Sequence, residues 1–129
     1  MKLTNKKLNN VVFIGFSPII ESLNKINKKN KINSFLITSP DQSKNIKGKI
    51  DFKIFKKLDR KFEKFIESRF NKDNTLFVSI SSRWIFKKKQ IKFFKGKLVN
   101  FHSSRLPYYK GGATFSWQIL CGDRIHCNS

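Results

Sequence analysis

Asn100 and His102 stand two residues apart at the end of an apolar segment, LVNFH, in a chain otherwise crowded with Lys and Phe. Residues two apart on a strand project from the same face. Asn offers a neutral amide donor, and His offers a donor or an acceptor whose charge changes near neutral pH. Two such groups converging suit a carbonyl whose oxygen becomes negative under attack, which is oxyanion stabilisation. The plain alternative is a pair of polar groups that anchor a loop at a strand end, because N-x-H is a short pattern. Ser103 follows His102 directly, but neighbouring strand residues face opposite ways, so Ser103 is badly placed to use that imidazole as a base. Pro107 keeps the next loop out of the sheet, and Gly111 and Gly112 permit backbone shapes and close ligand approach that other residues resist. A helix starting near Ala113 turns its free N–H groups to the same crevice.

The elements that must position this pair can be read in order. VVFIGFS (residues 11–17) is a short, β-branched apolar run and is predicted to be a buried strand. Ser17 and Pro18 then start a helix, with the Ser17 hydroxyl as cap and Glu21 at the positive end of the dipole. Ile19, Leu23 and Ile26 supply its apolar stripe. INSFLITS is the next strand, closed by Pro40 and followed by a polar linker, DQSKNIKGK, and a brief strand, DFKIF. Phe62, Phe65, Ile66 and Phe70 mark a second amphipathic helix. TLFVSIS is another buried strand, a third helix is expected from Ile85 through Phe94, and KLVNFH is a further strand. In ATFSWQILC, Phe115, Ile119 and Leu120 fall at helical spacing.

This β-α-β-β-α-β-α-β-α order predicts an α/β fold with a mainly parallel sheet and helices on its faces. Ligands of such sheets bind beyond the carboxyl ends of the strands. Three loops are thereby singled out: Gly15 to Pro18, Ser79 to Phe86, and His102 to Gly112. The first holds one glycine, not G-x-G-x-x-G, which speaks against a dinucleotide site; G-x-x-x-x-G-K-[ST] and G-x-S-x-G are absent from the sequence.

Length and composition set the class. A chain of 129 residues suits one compact domain with its own core, and 39% hydrophobic residues exclude disorder. The net charge of +20 favours anionic partners. Yet among 28 basic residues the Arg are only Arg60, Arg69, Arg83, Arg105 and Arg124. Lys, Asn, Ile and Phe are over-used together, as AT-rich codons dictate, and detailed phosphate reading would favour Arg. Cys121 and Cys127 are too few for a disulfide scaffold, and with His126 and His102 they lack the paired C-x-x-C spacing of zinc sites, so no metal is expected. The apolar run VVFIGF is too short for a signal core or a membrane span, which predicts a cytoplasmic protein without membrane attachment. The basic stretch IFKKKQIKFFKGK is read as a solvated face over a core.

Taken whole, LVNFHSSRLPYYKGGATFSWQIL resembles the signature of the formyltetrahydrofolate-dependent formyltransferases, N-x-H-x-S-x-L-P-x-x-x-G followed by a helix that often carries Trp or Gln. Asn100, His102, Ser104, Leu106, Pro107, Lys110 and Gly111 fall on that pattern in register. The resemblance implies a Rossmann-like, N-terminal catalytic domain over residues 1–129 that moves a formyl group from 10-formyltetrahydrofolate to a primary amine. It implies that Asn100 and His102 polarise the formyl carbonyl and steady the oxyanion. Arg83, Trp84, Ile85 and Phe86 correspond to the strip that holds the pterin, with the three apolar side chains lining a slot and main-chain groups reading the ring edge. Ser104, Pro107, Gly111 and Gly112 belong to the substrate loop. The implied acceptor is methionyl-tRNA first; the alternatives are an amino-sugar nucleotide, on whose ring Tyr109 or Trp117 could stack, or no catalysis at all, in a basic RNA-binding module.

One departure bears on activity. The resemblance implies a third catalytic residue, an Asp well downstream of N-x-H after another strand. Asp123 lies too near the motif, and the chain ends at Ser129. The expectation is a domain incomplete at its C-terminal end, inactive by itself although its parent is an enzyme. Loss of a positioned acid–base partner costs on the order of a hundredfold to ten-thousandfold in rate.

Overall fold

A computed structural model describes residues 7–104, 106–108, 110–111 and 114–122, the side chains of 114 and 115 excepted. The chain divides into two compact units, Met1–Val99 and Asn100–Ser129. The elements run β1 (Asn10–Gly15), α1 (Ile19–Lys29), β2 (Asn33–Thr38), α2 (Pro40–Ser43), β3 (Phe52–Ile54), α3 (Arg60–Arg69), β4 (Thr75–Ile80), α4 (Lys88–Phe93), β5 (Leu98–Phe101) and α5 (Thr114–Leu120). The five-stranded sheet has the order β3-β2-β1-β4-β5, and β1 pairs in parallel with both β2 and β4. The Rossmann-like α/β expectation is met.

Strand β1 shows why the sheet takes this form. Its residues are apolar without a break from Val11 to Ile14, because both faces are covered. Val12 and Ile14 enter a cluster with Phe35, Ile37, Phe62, Ile66, Phe77 and Phe94, which α3 and α4 cover. Phe13 enters another with Ile20, Leu36, Ile50 and Ile80, under α1. Helices therefore lie on both faces, as the alternation required. The first cluster is built from aromatic rings meeting edge to face: Phe62 touches Phe55 at 5.5 Å and Phe94 at 6.2 Å between centroids.

Three local expectations are corrected. Helix α1 buries Ile20 and Asn24, whereas Ile19 and Ile26 are about half exposed. The stripe is rotated by one residue because Asn24 donates its amide to the Lys49 carbonyl at 3.1 Å, which anchors the following loop. The Ser17 hydroxyl makes no cap; Pro18 is the capping residue and the Ser17 carbonyl receives the Ile20 N–H. Helix α4 begins at Lys88, not Ile85, because residue 87 is still extended and the Gln90 side chain accepts the Lys87 N–H at 2.7 Å. In α3, by contrast, Asp59 caps through bonds from the Lys61 and Phe62 N–H groups.

Truncating Ile20 to Ala should cost about 2–5 kcal/mol in urea unfolding, while Ile26→Ala should change stability by no more than about 0.5 kcal/mol. Equal losses would restore the unrotated stripe.

Candidate functional site

The sheet order reverses between β1 and β4, and their carboxyl ends meet at Gly15 and Ile80. Gly15 has φ +111°, and a Cβ there would stand 2.2 Å from the Ile80 carbonyl oxygen and 2.8 Å from Ser82 Cα. No other residue type fits that approach. Beyond it the chain turns through Ser81, whose φ of 48° is left-handed although it carries a side chain.

This turn, Ser81 to Trp84, is tied down from several sides. The Gln42 amide donates to the Ser81 carbonyl at 2.8 Å, and the Ser39 hydroxyl donates to Gln42 Oε1 at 3.2 Å. Arg83 Nε lies 2.9 Å from Asp41 Oδ2. Ser82 Oγ accepts the Trp84 N–H at 3.1 Å, and the Trp84 indole N–H reaches the Lys56 carbonyl at 3.3 Å. A hydrogen bond from the Ser39 hydroxyl, then the Arg83 charge, hold the Asp41 carboxyl below its usual pKa.

Of the strip named from the sequence, Arg83 is thus paired with Asp41. Trp84 is half-buried against the aromatic cluster. Ile85 is 88% exposed, and Phe86 turns inward, 6.1 Å from Phe94. A depression of about 670 Å³ opens among Ser39, Pro40, Asp41, Lys56, Arg83 and Trp84, at the carboxyl ends of β2 and β4. A second, of about 460 Å³, borders the first loop through Phe16 and Pro18. A third, of about 580 Å³, lies at the opposite end of the strands near Asn10 and Asn33.

In the second unit, Asn100 is exposed and lies within β5; His102 is half-buried and is the first residue past that strand. The alternation argument therefore reaches from Asn100 only to Phe101. Ser104 is fully buried. Pro107 follows a cis peptide bond, and Gly111 has φ +87°, a backbone shape that suits glycine. Gly112, Ala113 and Tyr109 lie outside the described residues, as do Asp123, His126, Cys127 and the side chain of Phe115. In α5 the expected apolar stripe is corrected: Ile119 and Leu120 are exposed, as is Trp117, and Gln118 is the buried residue.

No protein-family model matches the chain. In sequence it is similar to the methionyl-tRNA formyltransferase of Prochlorococcus marinus, with 29% identity over 88% of this chain and 38% of that protein. In structure it is similar to the phosphoribosylglycinamide formyltransferase of Anaplasma phagocytophilum, with TM-score 0.69 and 19% identity, covering 94% of this chain and 62% of that one. The corresponding enzyme of Coxiella burnetii gives TM-score 0.66 and 22% identity over 96% and 64%. The chain has the fold of these formyltransferases. The family resemblance carried by residues 98–120 thus extends, as fold, across nearly the whole chain.

The chain spans about 38% of the curated relative's length and just over three-fifths of the solved chains. Among its described residues no group of three His, Cys, Asp or Glu side chains could hold a metal ion. No helix among them is long and apolar enough to cross a membrane. Asp41 and Gln42 are the site residues that the linker reading of DQSKNIKGK missed. The signal was present: Ser39-Pro40 is the same helix-starting pair as Ser17-Pro18, and Pro40 occupies the first turn of α2.

Gly15→Ala should destabilise the domain by about 2–4 kcal/mol, combining backbone strain with overpacking against the turn, as read by chemical denaturation. The Asp41 carboxyl is depressed, so its contribution is present above the ordinary carboxylate range and is lost as pH falls through the lowered value. The Arg83 Nε–H resonance in NMR should hold constant around neutral pH and move at a lower pH than an ordinary Asp partner would give.

Proposed function

We propose that this chain is the folate-binding and catalytic domain of an enzyme that transfers a formyl group from 10-formyltetrahydrofolate to a primary amine. The observation that carries this reading is the N-x-H-x-S-x-L-P-x-x-x-G segment, starting at Asn100, in a chain that has the formyltransferase fold. The residues present fit the donor. The depression beside Arg83 and Trp84 has a volume within the range of small-molecule sites. Its indole suits an aromatic ring, and the Lys56 cation suits a carboxylate of a folate.

In this reading Arg83 to Phe86 hold the pterin, chiefly through main chain, because Phe86 is committed to the core. The formyl group that the folate supplies is an acyl carbon already activated toward amines. Asn100 donates its amide N–H to the formyl oxygen and stabilises the negative charge that develops there as the amine adds. His102 supplies a second hydrogen bond and takes the proton that the amine must lose; that proton goes to the folate nitrogen as the bond from it to the formyl carbon breaks and tetrahydrofolate leaves. Ser104, Pro107 and Gly111 shape the loop that receives the acceptor.

Methionyl-tRNA is the favoured acceptor, on the strength of the sequence relative and of the +20 charge, which suits a phosphate backbone. Glycinamide ribonucleotide is the second reading, favoured by the activity for which the structural neighbours are named. A basic module that reads RNA on exposed aromatics fits less well, since Phe13, Phe35, Phe62, Phe77 and Phe94 are buried.

Formyl-folate binding is measured first, because it reports on the donor site without an acceptor. Turnover is then followed with each acceptor amine. Asn100→Ala and His102→Ala should each lower transfer on the order of a hundredfold or more while leaving folate affinity within about threefold. Salt-steep RNA binding with no folate affinity would sink the enzyme reading.

A further inference from the structure

We infer that Asp41 and Gln42, adjacent on the short helix α2, are positioning residues that hold the Ser81–Trp84 turn in its folate-ready shape and so set folate affinity. This rests on the reading that the Arg83–Phe86 strip holds the pterin. Neither residue belongs to the strip, and neither is near Asn100 or His102 in sequence.

The argument begins with strain. Ser81 is left-handed without being glycine, so local sequence does not favour the turn. What fixes it must come from outside. The Gln42 amide grips the carbonyl of that same residue at 2.8 Å. Gln42 is itself buried, and its Oε1 lies 3.2 Å from the Ser39 hydroxyl, which it shares with the closer Asp41 carboxylate. One residue earlier, Asp41 holds the Arg83 guanidinium through Nε at 2.9 Å. Two neighbours on α2 thus take hold of the turn at two points, one on each side of Ser82. From the other side Gly15 fills the space directly beneath it. A strip that binds a ring edge with main-chain groups depends on its backbone dihedrals, so restraint of those dihedrals translates into affinity.

The test uses the full chain carrying Trp117→Phe, which leaves Trp84 as the remaining tryptophan and reports folate binding by fluorescence. Gln42→Leu keeps the volume and removes both hydrogen bonds; Asp41→Asn keeps the shape and removes the charge. Gln42→Leu should weaken formyl-folate binding about tenfold, and Asp41→Asn about threefold, with Asp41→Glu restoring most of the loss. Amide hydrogen exchange at Arg83 and Trp84 should rise in Gln42→Leu while exchange in β1 stays unchanged, a pattern that general destabilisation would not give. Wild-type folate affinity in Gln42→Leu overturns the inference. If the parent chain binds no folate, the pterin reading fails, and with it the affinity role; the exchange data then decide separately whether α2 restrains the turn.

Discussion

The meeting of β1 and β4 at Gly15 is the constraint on which the rest of the first unit depends. These central strands bury both faces, and at their carboxyl ends the backbone of one passes within van der Waals reach of the turn that ends the other. That closeness forces a residue without a Cβ at position 15 and leaves Ser81 to take the left-handed shape. Everything beyond follows from where the turn is sent: Arg83 toward α2, Trp84 toward the Lys56 carbonyl, Phe86 into the aromatic cluster. The side chains of the strip are largely occupied in fixing the strip itself. Ile85 is the exception, with its side chain 88% exposed.

The sheet was legible in the sequence because burial on both sides of a parallel strand leaves an unbroken apolar run, and β1, β2 and β4 each contain one. Helix α1 was legible as a helix but not in its rotation. Its stripe is set by Asn24, a polar residue buried for the sake of one loop carbonyl, and hydropathy cannot register that trade. Helix α4 was placed three residues early for a related reason. Its start is fixed by the Gln90 side chain, which also donates to the Leu58 carbonyl in the loop before α3. The candidate strip was legible by resemblance, but its supports were not. Asp41 and Gln42 act across the end of the sheet, on residues roughly forty positions away, and no local pattern encodes such a partner.

The positive charge divides in a similar way between what the fold uses and what it leaves to solvent. Arg69 lies over the Phe35 ring at 4.8 Å, and Lys72 over Phe93 at 3.9 Å, so these cations cover the edge of the aromatic cluster. Arg60 and Lys89 both approach the carboxylate of Glu63, whose side chain is nearly buried. An acid in that position needs such neighbours. Part of the basicity is therefore a consequence of a core rich in Phe whose margins are sealed by long cationic side chains. The net charge overstates how much of it was ever aimed at a partner.

The sequence relative and the structural neighbours carry different acceptors in their names, yet they do not conflict. The Gly15 contact and the bonds from Asp41 and Gln42 all bear on the Ser81–Trp84 turn, whichever acceptor those proteins are named for. Fold similarity is dominated by these elements, so it reports on the donor and is nearly silent on the amine. Acceptor choice has to reside in residues that vary without disturbing the sheet. In this chain the side chains of Leu106, Tyr108 and Trp117, in the segment after β5, are exposed. The strained and closely packed end of the sheet, at Gly15 and Ser81, leaves little room for substitution.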